Sequence, residues 1–108
     1  MDGLRGKDER RMAKTDLKAL RELAWIGDSV LELYARSRVL KEHGGIDAEA
    51  KTRFTRNSFL NCMGNPTAVE ARIGEIYHAE GLAAAHAWIA ENFEPLYLKQ
   101  EANRKRGR

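Results

Sequence analysis

The hydrophobic positions between Leu17 and Val39 recur every three or four residues. This spacing is typical of an amphipathic helix whose apolar side chains share one face. We expect the helix to begin at Thr15 or Asp16, either of which can cap it, and to end at the Gly44-Gly45 pair. The predicted apolar face consists of Leu17, Leu20, Leu23, Ala24, Gly27, Val30, Leu31, Tyr34, Ala35 and Val39.

Two shorter helices are predicted after that break. Asp47 is a favourable N-cap for a helix that runs through Arg56, because its side-chain oxygen can accept a hydrogen bond from a free amide of the first turn. A short turn of helix is expected from Ser58 to Met63. The sequence Gly64-Asn65-Pro66 then interrupts the chain.

Two more helices complete the predicted set. Thr67, with Glu70 three positions later, has the pattern of a capping box, which predicts a helix that starts there and is ended by Gly81. The alanine-rich stretch LAAAHAWIAENF predicts a last helix that ends before Pro95. No segment alternates apolar and polar residues with a period of two, so we predict an all-α fold.

The composition is that of one small globular domain. The 108 residues are 43% hydrophobic and 32% charged, which is a globular balance and not that of a disordered chain. The single cysteine, Cys62, excludes an internal disulfide and a zinc site built on paired cysteines. No apolar run approaches the ~20 residues that a membrane helix needs, and the opening MDGLRGKDERR has no apolar signal-peptide segment. We therefore expect a soluble, cytoplasmic protein with no membrane partner.

The net charge of +3 is unevenly distributed along the chain. The first 18 residues carry +2, the last ten carry +4, and the remainder carries −3. We accordingly divide the chain into a basic N-terminal arm (1–14), a helical domain (15–98) and a basic C-terminal tail (99–108). Basic ends suggest a polyanion partner, because Lys and Arg near phosphates release condensed counterions. They could equally do no more than keep the protein soluble.

Two acidic residues lie on the apolar side of their predicted helices. Asp28 is one turn from Ala24 and from Leu31, and Glu70 is one turn from Ile73. An ionised carboxylate against a core is costly unless it is paired, hydrogen-bonded or bound to a metal ion. Both acids therefore need a compensating partner.

The partner could be structural or functional. Asp28 could pair with Arg21 or Arg72, and Glu70 could simply complete the capping box begun by Thr67. The alternative is a site for a hard cation, since Mg²⁺ prefers oxygen ligands and often binds only one or two protein carboxylates. Periodicity leaves this choice open.

Two ordered motifs resemble ribonuclease III catalytic domains. Residues 23–33, LAWIGDSVLEL, are similar to the signature helix of that family, and residues 70–77, EARIGEIY, followed by Glu80-Gly81-Leu82, are similar to its second acidic helix. Residues 55–61, TRNSFLN, resemble the intervening segment more weakly. Together these stretches cover most of residues 17–95.

The resemblance aligns Asp28 and Glu70 with two of the four carboxylates of the family, while Ala24 and Thr67 occupy the other two positions. The mini-ribonuclease III branch, which lacks a double-stranded-RNA-binding domain, similarly has alanine and threonine there. The chain is therefore identified as mini-ribonuclease III-like. A much longer insertion in family members is replaced here by residues 61–66, so we expect the basic ends to help hold the substrate.

The resemblance implies a ribonuclease III-type endonuclease domain that hydrolyses double-stranded RNA in RNA processing and acts as a two-fold homodimer. Asp28 and Glu70 are implied to be catalytic and to bind Mg²⁺ or Mn²⁺, which would lower the pKa of a bound water. Glu32, one turn beyond Asp28, is the candidate for orienting the waters of the metal, or else an ordinary exposed glutamate. Trp25 takes the place of a family aromatic that inserts into the partner subunit; the alternative is a core tryptophan.

Basic side chains in two regions are candidate RNA contacts. Arg53 and Arg56 either touch phosphate or form a solvated helix face, and Arg104, Lys105 and Arg106 supply charge in the C-terminal tail. Recognition of an RNA duplex would depend on shape more than on base sequence. Two other interpretations remain: a catalytically inactive double-stranded-RNA-binding or ribosome-associated protein on the same scaffold, and a helical interaction module without a nucleic-acid role.

Overall fold

The structure, a computed structural model, describes the backbone of residues 2–107 and the side chains of residues 16–107. This part of the chain contains no β-strand, and the protein is 87% helical. The predicted all-α fold is therefore confirmed. The described residues form helices α1 (Asp2–His43), α2 (Ala48–Thr55), α3 (Asn57–Leu60), α4 (Pro66–Glu80) and α5 (Leu82–Arg106).

Three helix boundaries lie where the sequence predicts them. Helix α1 ends at His43, and Gly44 follows with a φ of 72°, a conformation that glycine adopts at little cost. Asp47 caps α2 by accepting a hydrogen bond of 3.0 Å from the amide of Ala50. Gly81, with a φ of 94°, separates α4 from α5. Local chemistry is sufficient to set these boundaries.

Helix α1 begins at Asp2, so the predicted start at Thr15 or Asp16 was wrong. The preceding segment has no proline and contains five Arg and Lys residues, which are good helix formers. The helix therefore does not need to begin at a capping residue. The side chains of the predicted basic arm, residues 1–14, lie outside the described residues.

Helix α5 continues through Pro95 to Arg106, although the sequence predicts its end before that proline. A proline inside a helix removes an amide donor and costs roughly 3 kcal/mol. Phe93 and Tyr97, which are 0% and 5% exposed, hold the helix in the core on both sides of Pro95, and their packing compensates for the local cost. The predicted C-terminal tail, residues 99–108, thus continues α5 up to Arg106.

Helix α4 begins just before the predicted capping box. Asn65 is its N-cap and accepts a hydrogen bond of 3.1 Å from the amide of Ala68. Pro66 follows at the first helical position, where its missing N–H costs nothing. Thr67 therefore lies inside the first turn, and Glu70 is not held in a capping box. That prediction was wrong because Asn65-Pro66 is the stronger start signal.

An aromatic cluster at the centre of the core joins four of the helices. The ring centroid of Phe54 on α2 lies 5.5 Å from that of Tyr34, 5.8 Å from Phe59, 5.6 Å from Phe93 and 4.9 Å from Tyr97. Aromatic rings at these separations attract one another beyond the gain from burying their area. Because α2 and α3 are too short to be stable alone, this cluster holds them against α1 and α5.

Helices α1 and α4 cross in direct backbone contact at two glycines. A Cβ atom on Gly27 would lie 1.7 Å from the carbonyl oxygen of Glu70, and one on Gly74 would lie 2.1 Å from the carbonyl oxygen of Leu23. No residue larger than glycine fits at either position without moving the backbone. The crossing brings Asp28, the neighbour of Gly27, alongside Glu70.

Candidate functional site

Asp28 and Glu70 meet at the edge of the glycine crossing, where both line the same cavity. Glu70 is half-buried, whereas Asp28 is exposed, so Asp28 does not lie within the buried stripe as its helical position predicts. The direct backbone contact at Gly27 places the next residue at the rim of the interface.

The pKa of Glu70 is raised from its ordinary 4.5 to about 8. Burial is the largest cause, followed by the hydrogen bond with Asp28 and the negative charge of Asp28. Two carboxylates this close cannot both ionise without strong repulsion. At neutral pH Glu70 therefore retains its proton, and it is named here, together with Asp28, the acid pair.

The proposed ion-pair partners do not compensate the acid pair. Among the described side chains, no lysine or arginine forms an ion pair with Asp28 or Glu70. Arg72 forms its ion pair, at 3.9 Å, with Glu75, one turn along its own helix, and not with Asp28. Of the structural alternatives suggested by the sequence, neither the ion pair nor the capping box is found among the described side chains; Arg21 lines the same cavity but is not paired with either acid.

An open cavity of about 310 Å³ lies over the acid pair. Short side chains, those of Ala24 and Thr67, precede the two acids by one helical turn and leave their carboxyls accessible from solvent. The lining residues are Arg21, Ala24, Trp25, Asp28, Thr67 and Glu70.

The donors in this cavity fit a hard divalent cation. Both donors are carboxyl groups, whose oxygens are the ligands that hard cations prefer. Within residues 16–107 there is no group of three or more His, Cys, Asp or Glu side chains arranged for a metal ion. In general, Mg²⁺ often takes only one or two protein carboxylates, and water and substrate fill its remaining positions.

Glu32 is engaged away from the acid pair. Its carboxylate lies 3.0 Å from Lys51 Nζ on α2 and 3.0 Å from Arg36 Nε on α1. Burial opposes ionisation of Glu32, but hydrogen bonds from Lys51 and Arg36 prevail, and the net result is a lowered pKa. Because it is neutralised by two cations and does not line the cavity, Glu32 has a structural explanation that involves no metal.

The basic candidates divide into paired and unpaired residues. Arg53, with 14% of its side chain exposed, lies 3.2 Å from Glu101 and 3.5 Å from Glu49. Arg104 binds Glu101 with two hydrogen bonds of 3.1 Å. Arg56 is exposed and makes no ion pair with any described side chain. Lys105 and Arg106 are likewise exposed, and Arg106 donates a hydrogen bond to Asn103.

Three of these arginines lie together on a surface groove, which we name the arginine groove. It has a volume of about 350 Å³ and contains none of the residues of the acid pair. Its lining residues are Arg53, Arg56, Tyr97, Gln100, Glu101, Asn103 and Arg104.

Trp25 is 78% exposed and is not a core tryptophan. Leu17, two turns earlier on α1, is 44% exposed, and the two apolar side chains line a shallow cavity with Lys18, Arg21 and Glu22. An exposed tryptophan beside a second exposed apolar side chain is typical of a surface that contacts another molecule.

Sequence reasoning missed two groups of interacting residues. Glu101 holds arginines from two helices, and only its i, i+3 spacing to Arg104 is visible in the sequence. Glu94 accepts hydrogen bonds from Tyr34, at 2.7 Å, and from Arg38, at 2.7 and 2.9 Å. These partners are about 60 positions apart, so no local signal could have indicated them.

No protein-family model, curated protein or solved structure matches this chain. In addition, no helix among the described residues combines the length and hydropathy required to cross a bilayer. The residues of the acid pair and of the arginine groove are therefore the main guide to function.

Proposed function

We propose that this protein is a divalent-metal-dependent endoribonuclease that hydrolyses phosphodiesters of double-stranded RNA, as its resemblance to mini-ribonuclease III implies. One observation carries the proposal: Asp28 and Glu70, 42 positions apart in the sequence, line one open cavity, and neither forms an ion pair with any described side chain, including Arg21 on the cavity wall. An acid pair with a purely structural role would be stabilised by an ion pair with a lysine or arginine. In a metal site, such an ion pair would compete with the metal ion for the carboxylates.

In this proposal Asp28 and Glu70 hold Mg²⁺ or Mn²⁺ directly or through water. The bound cation would act as a Lewis acid and offset the charge that develops on the phosphate. Glu70 would have to lose its proton to hold the cation, so the affinity for the cation should increase with pH. Ala24 and Thr67 leave the space that a phosphate group needs beside the carboxyls.

The proposal also includes a homodimer, because one site reaches one strand of a duplex. The exposure of Trp25 supports it, since the ring adjoins both the acid-pair cavity and the apolar surface around Leu17. A two-fold axis near Trp25 would place two acid pairs on one assembly. Basic side chains outside the cavity, those of the arginine groove with Lys105 and Arg106, would contact backbone phosphates.

The decisive experiment is incubation of the protein with a plain RNA duplex in the presence of Mg²⁺, Mn²⁺ or EDTA. We expect cleavage only with a divalent cation. Replacing a group around a metal site reduces activity by roughly 10–100-fold even when that group is not a ligand, so Asp28→Asn and Glu70→Gln should each reduce cleavage by about 100-fold or more.

Matched variants control for charge and for folding. Asp16→Asn and Glu75→Gln change the same residue types on the same two helices, at exposed positions outside the cavity. They should cleave as the unaltered protein does. Metal-independent cleavage, or equal losses in both sets of variants, would contradict the proposed site.

A second function is favoured by the small number of acidic ligands. Only two carboxylates meet in the cavity, and no larger metal-ligand group exists within residues 16–107. A protein that binds double-stranded RNA without cutting it is consistent with this count. Tight duplex binding with no metal-dependent products would favour this function over the nuclease.

A further inference from the structure

In the arginine groove, Arg104 binds the carboxylate of Glu101 in a geometry that arginine also uses to bind phosphate. Nε of Arg104 lies 3.1 Å from one oxygen of Glu101, and Nη2 of Arg104 lies 3.1 Å from the other. This fork of two parallel hydrogen bonds is the geometry in which arginine binds both carboxylates and phosphates. Arg53, from another helix, adds a third contact at 3.2 Å.

Glu101 does not neutralise the groove. Three guanidinium groups line it, and Glu101 is the single acidic residue among the lining residues. Glu49, which also contacts Arg53, is 88% exposed and is therefore a weak, solvent-screened partner. Arg56 has no ion pair among the described side chains, so the lining of the groove keeps a net positive charge.

The position of Arg56 is well defined. It lies at the junction of α2 and α3, where its amide donates to Thr52 and its carbonyl accepts from the amides of Phe59 and Leu60. These hydrogen bonds fix the backbone of Arg56, whereas its guanidinium has no ion pair among the described side chains and can bind an anion.

We propose that the arginine groove binds one backbone phosphate of an RNA duplex and that Glu101 is the internal anion that this phosphate displaces from Arg53 and Arg104. This inference rests on the proposed RNA substrate but not on cleavage. Two anions compete for one set of donors, so the carboxylate sets the affinity of the groove. Glu101 limits the binding of weak anions, whereas a duplex brings many neighbouring phosphates and can overcome this competition.

The alternative is that Glu101 is only a strut that joins α2 to α5. Removing a strut lowers stability and leaves RNA affinity unchanged or reduced. Removing a competing anion increases RNA affinity. The sign of the change in affinity therefore distinguishes the two roles.

The test is fluorescence anisotropy of a labelled RNA duplex in EDTA, where cleavage does not occur, over a series of salt concentrations. Glu101→Gln should tighten binding about fivefold, the scale of one partly exposed ion pair, and should steepen the salt dependence by about one phosphate contact. The control is Glu91→Gln, which removes the same charge from an exposed position on the same helix. It should change the affinity much less.

A second variant keeps the inference testable if Glu101→Gln is unstable. Arg56→Gln loses no ion pair with a described residue, so it should fold normally, and it should weaken binding and flatten the salt dependence by about one contact. Lys41→Gln, at an exposed position outside the groove and without an ion pair among the described side chains, is its control.

The outcomes separate this inference from the nuclease proposal. Tighter binding by Glu101→Gln without metal-dependent cleavage would support the groove and reject the nuclease. Metal-dependent cleavage with unchanged binding by Glu101→Gln and Arg56→Gln would overturn the groove alone. Equal effects of Glu101→Gln and Glu91→Gln would also overturn it, because net charge would then explain both.

Discussion

Gly27 of α1 lies directly against the main-chain carbonyl of Glu70 on α4, with no room for a β-carbon between them. The contact is between two backbones, so neither side can give way by changing a rotamer. It also sets the distance at which the acid pair meets.

Gly27→Ala should destabilise the protein by about 3 kcal/mol or more, since overpacking a tight interface costs roughly 1–3 kcal/mol even where side chains can adjust. Chemical denaturation measures the free energy of unfolding. Gly45→Ala is the control, because a Cβ atom at Gly45 meets nothing within 4 Å. Similar stability of the two variants would mean that the helices do not touch at Gly27.

The acid pair predicts how stability varies with pH. The pKa of Glu70 is about 8 in the folded chain and ordinary, near 4.5, in the unfolded chain. Between these values the folded chain holds a proton that the unfolded chain has released, so the contribution of Glu70 to stability is complete below pH 4.5 and is lost as the pH rises through 8.

Glu70→Gln should remove that pH dependence and unfold at a higher temperature than the unaltered protein at pH 8. The difference between the two proteins should shrink towards pH 4.5. Thermal melts across this range provide the measurement, with Glu75→Gln as the control. A difference that does not change with pH would indicate that Glu70 ionises normally.

Two glutamates that bind the same arginine should differ in their contribution to stability. Arg38 pairs with Glu94, whose side chain is 25% exposed, and with Glu42, whose side chain is 52% exposed. Arg38 also lies over the rings of Phe54 and Tyr97, so it cannot move into solvent without leaving the aromatic cluster.

We expect Glu94→Gln to cost about 2 kcal/mol, because it weakens charge-assisted hydrogen bonds to a partly buried cation. Glu42→Gln should cost less than about 1 kcal/mol, as is usual for an exposed ion pair. Denaturation of both variants under the same conditions tests the ranking. A larger effect at Glu42 would contradict this description of the cluster.

The exposure of Trp25 predicts a change in assembly without a change in fold. Trp25→Ala should produce a smaller species in sedimentation while its circular dichroism and melting temperature at low protein concentration stay the same. Ile46→Ala, at a position that is 92% exposed, controls for the loss of surface hydrophobicity. If the unaltered protein already sediments as a monomer, the proposed two-strand mechanism fails.

Local signals in the sequence predicted several features of the fold correctly. The glycine after α1, the cap at Asp47 and the break at Gly81 depend on the conformational preferences of single residues, and all three were identified. Pro95 was misread as a helix end because its cost is local, whereas the packing of Phe93 and Tyr97 that compensates for it is tertiary.

The candidate site likewise has features that local sequence signals indicate and features that depend on tertiary packing. Periodicity drew attention to Asp28 and Glu70, but it could not show that they meet, because their contact depends on a helix crossing between distant segments. It also could not show that Glu32 is neutralised by Lys51, 19 positions away. Pairing across the fold is information that a single sequence does not display.

The contact between Arg53 and Glu101 makes the last turns of α5 part of the framework of the domain. Deleting residues 99–108 to remove their positive charge would also remove Glu101 and leave Arg53 with only the exposed Glu49. A truncation that ends after Arg104 preserves the link and removes only the charges beyond it. The shortest chain that retains this framework is therefore several residues longer than the distribution of charge would suggest.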